Sequence, residues 1–263
     1  MANECMQSVR RFKVDRGSVG LWWLGQMGYL IKTSEGTLIS IDAYLTNSCA
    51  KIGNSLGLNF NRKVPVFIPP DSLDVDYFLC THSHYDHADP ETIGQLRKEH
   101  INLFVGPGLA CETFAQCGVE GSKIRQIYPG GKVQIAEVTV HGTFAMPTDD
   151  SDLNHMGFTL AIENGPRIYI SGDTDYSGLL SHIKKLAPDV MITCMNGGFN
   201  NLSSWEAADV ASMIKPKIAI PCHYDMFPDN AADPEQFRAS LRHKAPEVHY
   251  QRLEYVKPFV FKS

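Results

Sequence analysis

The sequence has no long hydrophobic run and no cysteine pattern typical of a disulfide framework. No stretch approaches the ~18 apolar residues that a membrane-spanning helix needs, and residues 1–11 are polar, without the apolar core of a signal peptide. We therefore expect a cytoplasmic protein that does not contact a membrane. The seven cysteines are scattered and never spaced C-x-x-C, which argues against disulfides and a thiolate zinc site and predicts reduced, buried thiols.

An excess of positive charge is also missing. The net charge of −5 and the pI near 6.0 argue against broad binding to a nucleic-acid backbone. Repeats, low-complexity tracts and Pro-, Gly- or Ser-rich linkers are absent as well, so residues 1–263 are predicted to form one domain. A chain of this length can bury a sizeable core.

Histidine, in contrast, is concentrated in one place. The chain has 10 histidines, and three of them fall in residues 82–87 together with an aspartate, in the spacing His82-x-His84-x-Asp86-His87. The cluster follows an apolar run, 76–81, that we predict to be a strand. Imidazole and carboxylate groups suit Zn²⁺ or Mn²⁺. Strand alternation predicts that His82 and His84 face one ion, and the next turn brings Asp86 and His87 to a second.

The remaining segments alternate between strand-like and helix-like patterns. The first third predicts an antiparallel meander with strands at 19–24, 28–33 and 37–41. Helix-capping signals predict helices from Asp89-Pro90 to about residue 99, from Ser203 to about 214 and from Asp233-Pro234 to about 243. Further strand candidates are 133–144, 156–163, 167–171, 190–194 and 217–221. This order predicts an α/β fold with helices outside two packed sheets.

Two further polar residues follow predicted strands. Asp173 comes after the strand 167–171, in Ser171-Gly172-Asp173, and is suited to bridge two cations. His223 comes after the strand 217–221 and is a further candidate ligand. Its neighbour Cys222 is expected to point to the opposite face.

Together these residues resemble the metallo-β-lactamase superfamily: the 82–87 motif, Ser-Gly-Asp-Thr around Asp173, and Pro-Cys-His-Tyr-Asp around His223. Other segments are similar to its L-ascorbate-6-phosphate lactonase-like branch, namely Trp22-Trp23-Leu24-Gly25, Ile41-Asp42, Tyr176-Ser177 and Ala232-Asp233-Pro234. The resemblance implies an α/β four-layer αβ/βα sandwich, a metal centre at the edge between the two sheets and hydrolytic chemistry. It favours manganese, and by analogy suggests a homo-oligomer.

The chain departs from the superfamily pattern at one ligand. A further histidine is common near the position of residues 146–148, and none is present there. His155 is the nearest replacement, with His141, Asp149 and Asp150 as alternatives. Asp42, at the end of the third strand, is expected to orient a ligating histidine.

These groups predict a hydrolase with two divalent metal ions, Mn²⁺ or Zn²⁺. A metal ion lowers the pKa of bound water to about 7, which provides a hydroxide nucleophile at neutral pH. We expect one ion on His82, His84 and a third ligand, and a second on Asp86, His87 and His223, with Asp173 as the bridge. Asp86 can also orient the nucleophile or accept its proton, so the predicted catalytic residues are Asp86 and Asp173.

Substrate contacts are expected from the stretch 44–71, which has little periodicity. Lys51, Arg62 and Lys63 in it are candidate contacts for a phosphate or carboxylate. Further candidate lining residues are Tyr224, Asp225, Asn200 and Asn201. Trp22 and Trp23 are assigned to the core.

The resulting hypothesis is a lactonase acting on a small anionic substrate, a phosphorylated or acidic sugar lactone such as L-ascorbate 6-phosphate. One alternative with the same nucleophile is a phosphodiesterase or cyclic-phosphate hydrolase, which needs more cationic charge around the substrate. An alternative of another class is a metal-binding or sensing module without catalysis, in which the ion stabilises the fold or reports a ligand.

Overall fold

Fourteen β-strands form two sheets of seven strands each. The computed structural model describes residues 2–263, with side chains from Cys5 onward. The strands are β1 (Ser18–Gly25), β2 (Gly28–Lys32), β3 (Leu38–Ile41), β4 (Tyr77–Leu79), β5 (Leu103–Gly106), β6 (Ile124–Gln126), β7 (Lys132–Ile135), β8 (Val138–Phe144), β9 (Met156–Ile162), β10 (Arg167–Ile170), β11 (Val190–Cys194), β12 (Ile218–Cys222), β13 (His249–Tyr250) and β14 (Phe259–Lys262). The first sheet has the order β14-β1-β2-β3-β4-β5-β6, and the second has β13-β12-β11-β10-β9-β8-β7.

Residues 2–263 also contain six α-helices and four 3-10 helices, of which all but the first α-helix lie between strands. The α-helices are α1 (Ala2–Arg11), α2 (Cys49–Leu56), α3 (Pro90–Gln95), α4 (Gly108–Gln116), α5 (Ser204–Ile214) and α6 (Pro234–Lys244). The 3-10 helices are Pro70–Ser72, Lys98–His100, Gly121–Lys123 and Gly178–Leu186. Within residues 2–263, no helix has both the length and the apolar character needed to cross a bilayer.

Each sheet combines an antiparallel and a parallel half. Strands β1 to β3 pair antiparallel, as predicted, and β3 to β6 pair parallel. In the second sheet β7 to β10 pair antiparallel, and β10 to β13 pair parallel. The parallel halves matter for function because the carboxyl ends of parallel strands lie at one edge of a sheet.

The core has two main layers because the central strands are buried on both faces. Trp23 and Leu21 belong to a cluster that joins the two sheets, together with Leu160 of β9. Trp22, whose side chain points the opposite way along β1, belongs to a second cluster that includes Phe114 of α4, on the outer face of the first sheet. Helix α5 packs on β11 and on α6, outside the second sheet. The architecture is therefore the predicted four-layer αβ/βα sandwich, with both tryptophans in its core.

The helix-capping predictions are confirmed. The side chain of Asp89 accepts hydrogen bonds from the backbone N–H groups of Glu91 and Thr92 at the start of α3. Ser203 and Glu206 form a reciprocal capping box at the start of α5, and Asp233 caps α6. These local hydrogen bonds depend on residues close in sequence, which is why the sequence predicts the helix starts well.

Three predicted segments were wrong in their extent. Residues 133–144 form two strands because the chain reverses at Ala136, whose φ of 44° is left-handed without a glycine to signal it. Helix α3 ends at Gln95, not near residue 99, since Leu96 is extended. The stretch 44–71, predicted to be irregular, contains α2, which ends at Leu56 and is capped by Gly57 with φ 71°.

The cysteine prediction holds in part. All seven thiols are free. Cys49, Cys80, Cys194 and Cys222 are buried, whereas the other three are only half-buried.

Candidate metal centre

The polar residues singled out by sequence meet where four strands end. Asp42 directly follows β3, the 82–87 motif follows β4, Asp173 follows β10, and His223 follows β12. Strands β3 and β4 belong to the first sheet and β10 and β12 to the second, so the site lies at the edge between the two sheets.

The 82–87 motif is a turn, so the prediction that strand alternation orients its side chains was wrong. Strand β4 ends at Leu79, three residues before His82. The backbone N–H groups of His87 and Ala88 both donate to the carbonyl oxygen of His84, at 2.9 and 2.8 Å. This tight turn directs the imidazoles inward, and the ring centroids of His82 and His87 are only 4.0 Å apart.

The histidines and aspartates form three overlapping groups in which the potential ligand atoms lie within 4.8 Å of one another. The groups are His82, His84 and His155; His82, His87 and Asp173; and Asp86, His87 and His223. The structure thus brings all seven predicted ligands together. His155 lies beside the first pair. Of the alternatives, Asp149 has its Oδ2 3.4 Å from Nε2 of His84 but joins no group, whereas His141 is on β8 and Asp150 is exposed.

Asp173 lies between the groups. Its Oδ1 is 3.3 Å from Nε2 of His87 and 3.2 Å from Nε2 of His223. Nε2 of His223 is also 3.2 Å from Oδ2 of Asp86. The carboxylate of Asp173 therefore faces the space shared by the neighbouring groups.

Nε2 of His82 and Nε2 of His155 are buried without a hydrogen-bond partner, and Nε2 of His87 and Oδ1 of Asp173, 3.3 Å apart, are buried without a well-aligned hydrogen bond. An unpaired buried polar atom costs about 1–3 kcal/mol, so such a cluster is suited to bind a ligand. Imidazole nitrogen and carboxylate oxygen are donors that Zn²⁺ and Mn²⁺ accept, and among the described residues no cysteine joins a group. The cluster is therefore able to bind metal.

Comparison with known proteins identifies a family whose matching region includes this site. Residues 20–223 match the family model described as a beta-lactamase superfamily domain, a span that contains every residue of the cluster. The chain belongs to the metallo-β-lactamase superfamily.

Individual relatives narrow the family to metal-dependent hydrolases. The chain is 32% identical to the UPF0173 metal-dependent hydrolase of Anaeromyxobacter sp. (strain K), over 95% of this chain and 89% of that protein. It is 23% identical to a Salmonella gallinarum protein named "Probable L-ascorbate-6-phosphate lactonase UlaG", over 97% and 82% of the two chains. The structure of Igni18, a metallo hydrolase from Ignicoccus hospitalis, has the same fold, with a TM-score of 0.75, 20% identity and 94% and 99% coverage. The chain is thus a metal-dependent hydrolase of this superfamily.

Asp42 controls the orientation of one imidazole in this hydrolase. Nδ1–H of His87 donates to Oδ2 of Asp42 at 2.8 Å, which leaves Nε2 free to face the cluster. The backbone N–H and hydroxyl of Thr81 donate to the same carboxylate, at 2.7 and 2.6 Å. Asn201 has the corresponding role for Asp173: its Nδ2 donates to Oδ2 of Asp173 at 2.9 Å.

Gln26 is part of the site and was missed by sequence reasoning. It lies in the turn between β1 and β2 with φ 53°, and its buried Nε2 is 2.8 Å from Oδ2 of Asp86 and 2.9 Å from Nε2 of His223. The backbone carbonyl oxygen of Gln26 accepts hydrogen bonds from Nε1–H of Trp23 and from the backbone N–H of His223. A glutamine in a hairpin turn carries no sequence signal for this role.

The electrostatic environment divides the histidines into two sets. Burial lowers the pKa of His82 well below its usual value and also lowers that of His155. For His223, burial opposes protonation, but the carboxylates of Asp173 and Asp86 together outweigh it and raise the pKa to about 9. The same carboxylates raise the pKa of His87 against the effect of burial. Without metal, the imidazoles of His87 and His223 are therefore doubly protonated and charged at neutral pH, while those of His82 and His155 stay neutral.

A cavity of about 500 Å³ opens above the cluster. Its floor includes His84, Asp86, Asp173 and His223, so a bound molecule reaches the candidate ligands directly. The predicted position of the 44–71 stretch beside the site agrees with the structure, because residues of α2 and Phe60 form part of the wall.

The residues predicted to contact the substrate do not line this cavity. The guanidinium of Arg62 donates to the backbone carbonyl oxygens of residues 44, 46 and 64, which fixes the loop and leaves it no role on the cavity wall. Lys63 is exposed outside the lining. Tyr224 is buried against Trp23, with ring centroids 5.1 Å apart, and Asp225 accepts a hydrogen bond from Tyr255.

Asn200 also lies outside the cavity lining. Its Nδ2 donates to the carbonyl oxygen of Thr148 at 2.7 Å, which ties together two loops at the rim. Phe199 and Thr148 line the cavity instead.

Proposed function

We propose that this metal-dependent hydrolase opens a lactone or a related carboxylic ester. The observation that carries the proposal is the pairing of two ligand groups around the shared carboxylate of Asp173, directly under an open cavity. The named activity of the 23% identical relative supports a lactone as the reacting group.

The proposed metal ligands follow the observed groups. His82, His84 and His155 would hold one ion, and Asp86, His87 and His223 a second, with Asp173 between them. Bound Mn²⁺ or Zn²⁺ would supply Lewis acidity and a lowered pKa for water, to about 7. The nitrogen and oxygen donors accept either metal.

The chain's own groups would orient the attacking water. Burial raises the pKa of Asp86, but His87 and His223 outweigh that effect and lower it, so the carboxylate is ionised at neutral pH. Gln26 donates to Oδ2 of Asp86 and so fixes its orientation. An ionised, oriented carboxylate at the cavity floor is suited to accept a hydrogen bond from the attacking water and so to orient it, whereas the lowered pKa makes Asp86 a weak base for the proton itself.

The cavity lining bears on two more specific predictions, L-ascorbate 6-phosphate as the substrate and phosphodiester hydrolysis as the alternative reaction. L-ascorbate 6-phosphate is the substrate in the relative's name, yet among the described residues that line the cavity there is no lysine or arginine to hold a phosphate. The same lack of cationic side chains disfavours a phosphodiesterase or cyclic-phosphate hydrolase. The proposal is therefore for the lactone or ester group.

The test is initial-rate hydrolysis by protein stripped of metal and reloaded with Mn²⁺ or Zn²⁺. Substrates are L-ascorbate 6-phosphate, γ-butyrolactone and bis(p-nitrophenyl) phosphate, and Asp173→Asn is the paired variant. We expect lactone turnover that needs metal and disappears in the variant. Turnover of the phosphodiester alone would replace the lactone proposal by the phosphodiesterase. Metal-dependent melting without turnover of any ester would favour the sensing module.

We propose separately, by analogy with the family, that the protein is a homo-oligomer. A homo-oligomer would elute from a sizing column with light-scattering detection at a multiple of 29.3 kDa. A mass equal to one chain would contradict it.

A further inference from the structure

One side of the cavity above the cluster is apolar. Ile52 and Leu56 of α2, Phe60, Phe199 and Phe227 contribute this side, which we call the apolar wall. Leu56 is 64% exposed and Phe199 is 49% exposed. Large apolar side chains that stay exposed beside a catalytic floor mark a binding surface when they are contiguous.

The two wall residues on α2, Ile52 and Leu56, do not serve the core, whereas Phe227 is buried in a core cluster against which Phe60 packs. The buried positions of α2 are Cys49, Ala50 and Gly53. Ile52 and Leu56 are four residues apart, so they share a face of the helix, and that face lines the cavity. Packing of the core therefore does not account for the apolar side chains on this face of α2.

Phe199 adds an argument from the backbone. Its φ is 55°, in the left-handed region that favours glycine or asparagine and costs a bulky residue free energy. The ring packs edge to face on Phe60 at 5.5 Å between centroids, and Phe60 in turn contacts Phe227 at 5.4 Å. An unfavourable backbone conformation thus holds an aromatic ring at the mouth of the cavity.

Charge excludes an anionic group at this wall. Among the described lining residues there is no lysine or arginine, and the lining carboxylates are Asp86, Asp149 and Asp173. Of the nearby cations, Lys51 pairs with Glu91 and Arg62 is occupied by backbone carbonyl oxygens. A negatively charged substituent would meet no counter-charge away from the metal ions.

We propose that the apolar wall binds an uncharged alkyl or aryl substituent, so that the substrates are hydrophobic lactones or esters. The hydrolysis in this statement rests on the proposed function, whereas binding of the substituent does not. The cavity volume of about 500 Å³ is within the range of small-molecule sites.

The kinetic test uses manganese-loaded protein and γ-butyrolactone, γ-octalactone and γ-decalactone, which share a ring and differ in the length of the alkyl chain. We expect kcat/KM to rise about threefold for each methylene that the wall covers. A γ-lactone whose chain ends in a carboxylate should gain nothing. Equal kcat/KM for all chain lengths would overturn the apolar wall and leave lactone hydrolysis standing.

Two wall variants locate the effect. Phe199→Asn keeps a residue that tolerates the left-handed backbone, and Leu56→Gln removes apolar surface without changing helix length. Each should lower kcat/KM for γ-decalactone about tenfold more than it lowers kcat/KM for γ-butyrolactone, which has no alkyl chain to bind the wall. The matched control is Leu179→Gln, because Leu179 is 54% exposed and outside the lining. A control variant that behaves like the wall variants would contradict the assignment.

A binding measurement separates this inference from the proposed function. Hexylcyclopentanone resembles an alkylated lactone but has no ester bond, and cyclopentanone lacks the chain. Calorimetric titration should show at least tenfold tighter binding of the alkylated ketone, weakened in Phe199→Asn, even if no lactone is hydrolysed. Equal affinity of wild-type protein for the two ketones would overturn the apolar wall directly.

Discussion

The amide of Gln26 donates a hydrogen bond to the carboxylate of Asp86 across 2.8 Å, and through it a hairpin turn of the first sheet reaches the metal cluster. The turn residue is fully buried and has a left-handed backbone, φ 53°. Strained, buried polar residues persist where the surrounding structure fixes them, and such positions concentrate at functional sites. The relationship makes Gln26 a positioning residue for Asp86.

Replacing Gln26 by alanine should therefore weaken metal binding without unfolding the protein. Loss of a group that orients a ligand costs about 10–100-fold in affinity in such sites. We expect a decrease of about tenfold for Gln26→Ala, measured by competition with a chromophoric chelator. Gln26→Glu, which cannot donate from an ionised side chain, should bind metal no better than alanine. Unchanged affinity in both variants would show that Asp86 needs no partner.

A second prediction concerns Asp42, which lies 2.8 Å from Nδ1 of His87. Asp42→Asn replaces the carboxylate by a weaker, neutral acceptor and allows the imidazole to change tautomer. We expect about 10–100-fold weaker metal binding. Thr81→Val is the control, since it removes one hydroxyl donor to the same carboxylate and leaves the contact to His87 intact. Comparable losses in both variants would mean that packing around Asp42 matters more than the tautomer.

Metal binding should release protons at neutral pH. The pKa of His223 is raised to about 9 and that of His87 is also raised, so both imidazoles are charged in metal-free protein at pH 7. A histidine must be neutral to coordinate, so about two protons leave when metal binds at pH 7. The release decreases as the pH rises through the pKa of about 9, where the free imidazole is already neutral.

Titration calorimetry in buffers of different ionisation heat measures this release. The apparent enthalpy should depend on the buffer at neutral pH and much less at alkaline pH. His223→Gln should release about one proton fewer. An enthalpy independent of the buffer at neutral pH would contradict the charged state of these histidines.

The sequence predicts the parts of this molecule that depend on neighbouring residues. The motif around His82 and His87 is contained in six residues, and Asp173 and His223 each follow a strand whose apolar run is easy to read. Because strand ends meet at one edge of the sandwich, placing these residues on strand ends was enough to bring them together. The helix starts follow from caps for the same reason.

What the sequence could not predict depends on contacts between distant segments. Gln26 reaches Asp86 across 60 positions, and the half-buried guanidinium of Arg62 donates to backbone carbonyl oxygens that only the folded loop presents. Helix α2 was missed because it has only eight residues, no side-chain cap hydrogen bond at Ser48 and a glycine, Gly53, in its interior, so its formation depends on packing in the folded protein. In each case the deciding interaction is tertiary.

Removing metal should destabilise the native protein, and Asp173 should carry most of the effect. An ion that binds only the folded state stabilises it by about 4 kcal/mol when its concentration is a thousand times the Kd. In the metal-free protein the carboxylate instead pairs with His87 and His223, at 3.3 and 3.2 Å. Loss of one partner from such a buried group costs about 3–5 kcal/mol.

Asp173→Asn should consequently have two separable effects. The melting temperature without metal should be lower, and adding Mn²⁺ or Zn²⁺ should raise the melting temperature only a little. Thermal unfolding with and without chelator, in parallel with initial rates, measures both. Asp189→Asn is the control, because that carboxylate pairs with Lys217 far from the cluster and its loss should leave the metal-induced shift intact. A full metal-induced shift in Asp173→Asn would mean that the ions bind without this carboxylate, and the two ligand groups would then act as independent sites.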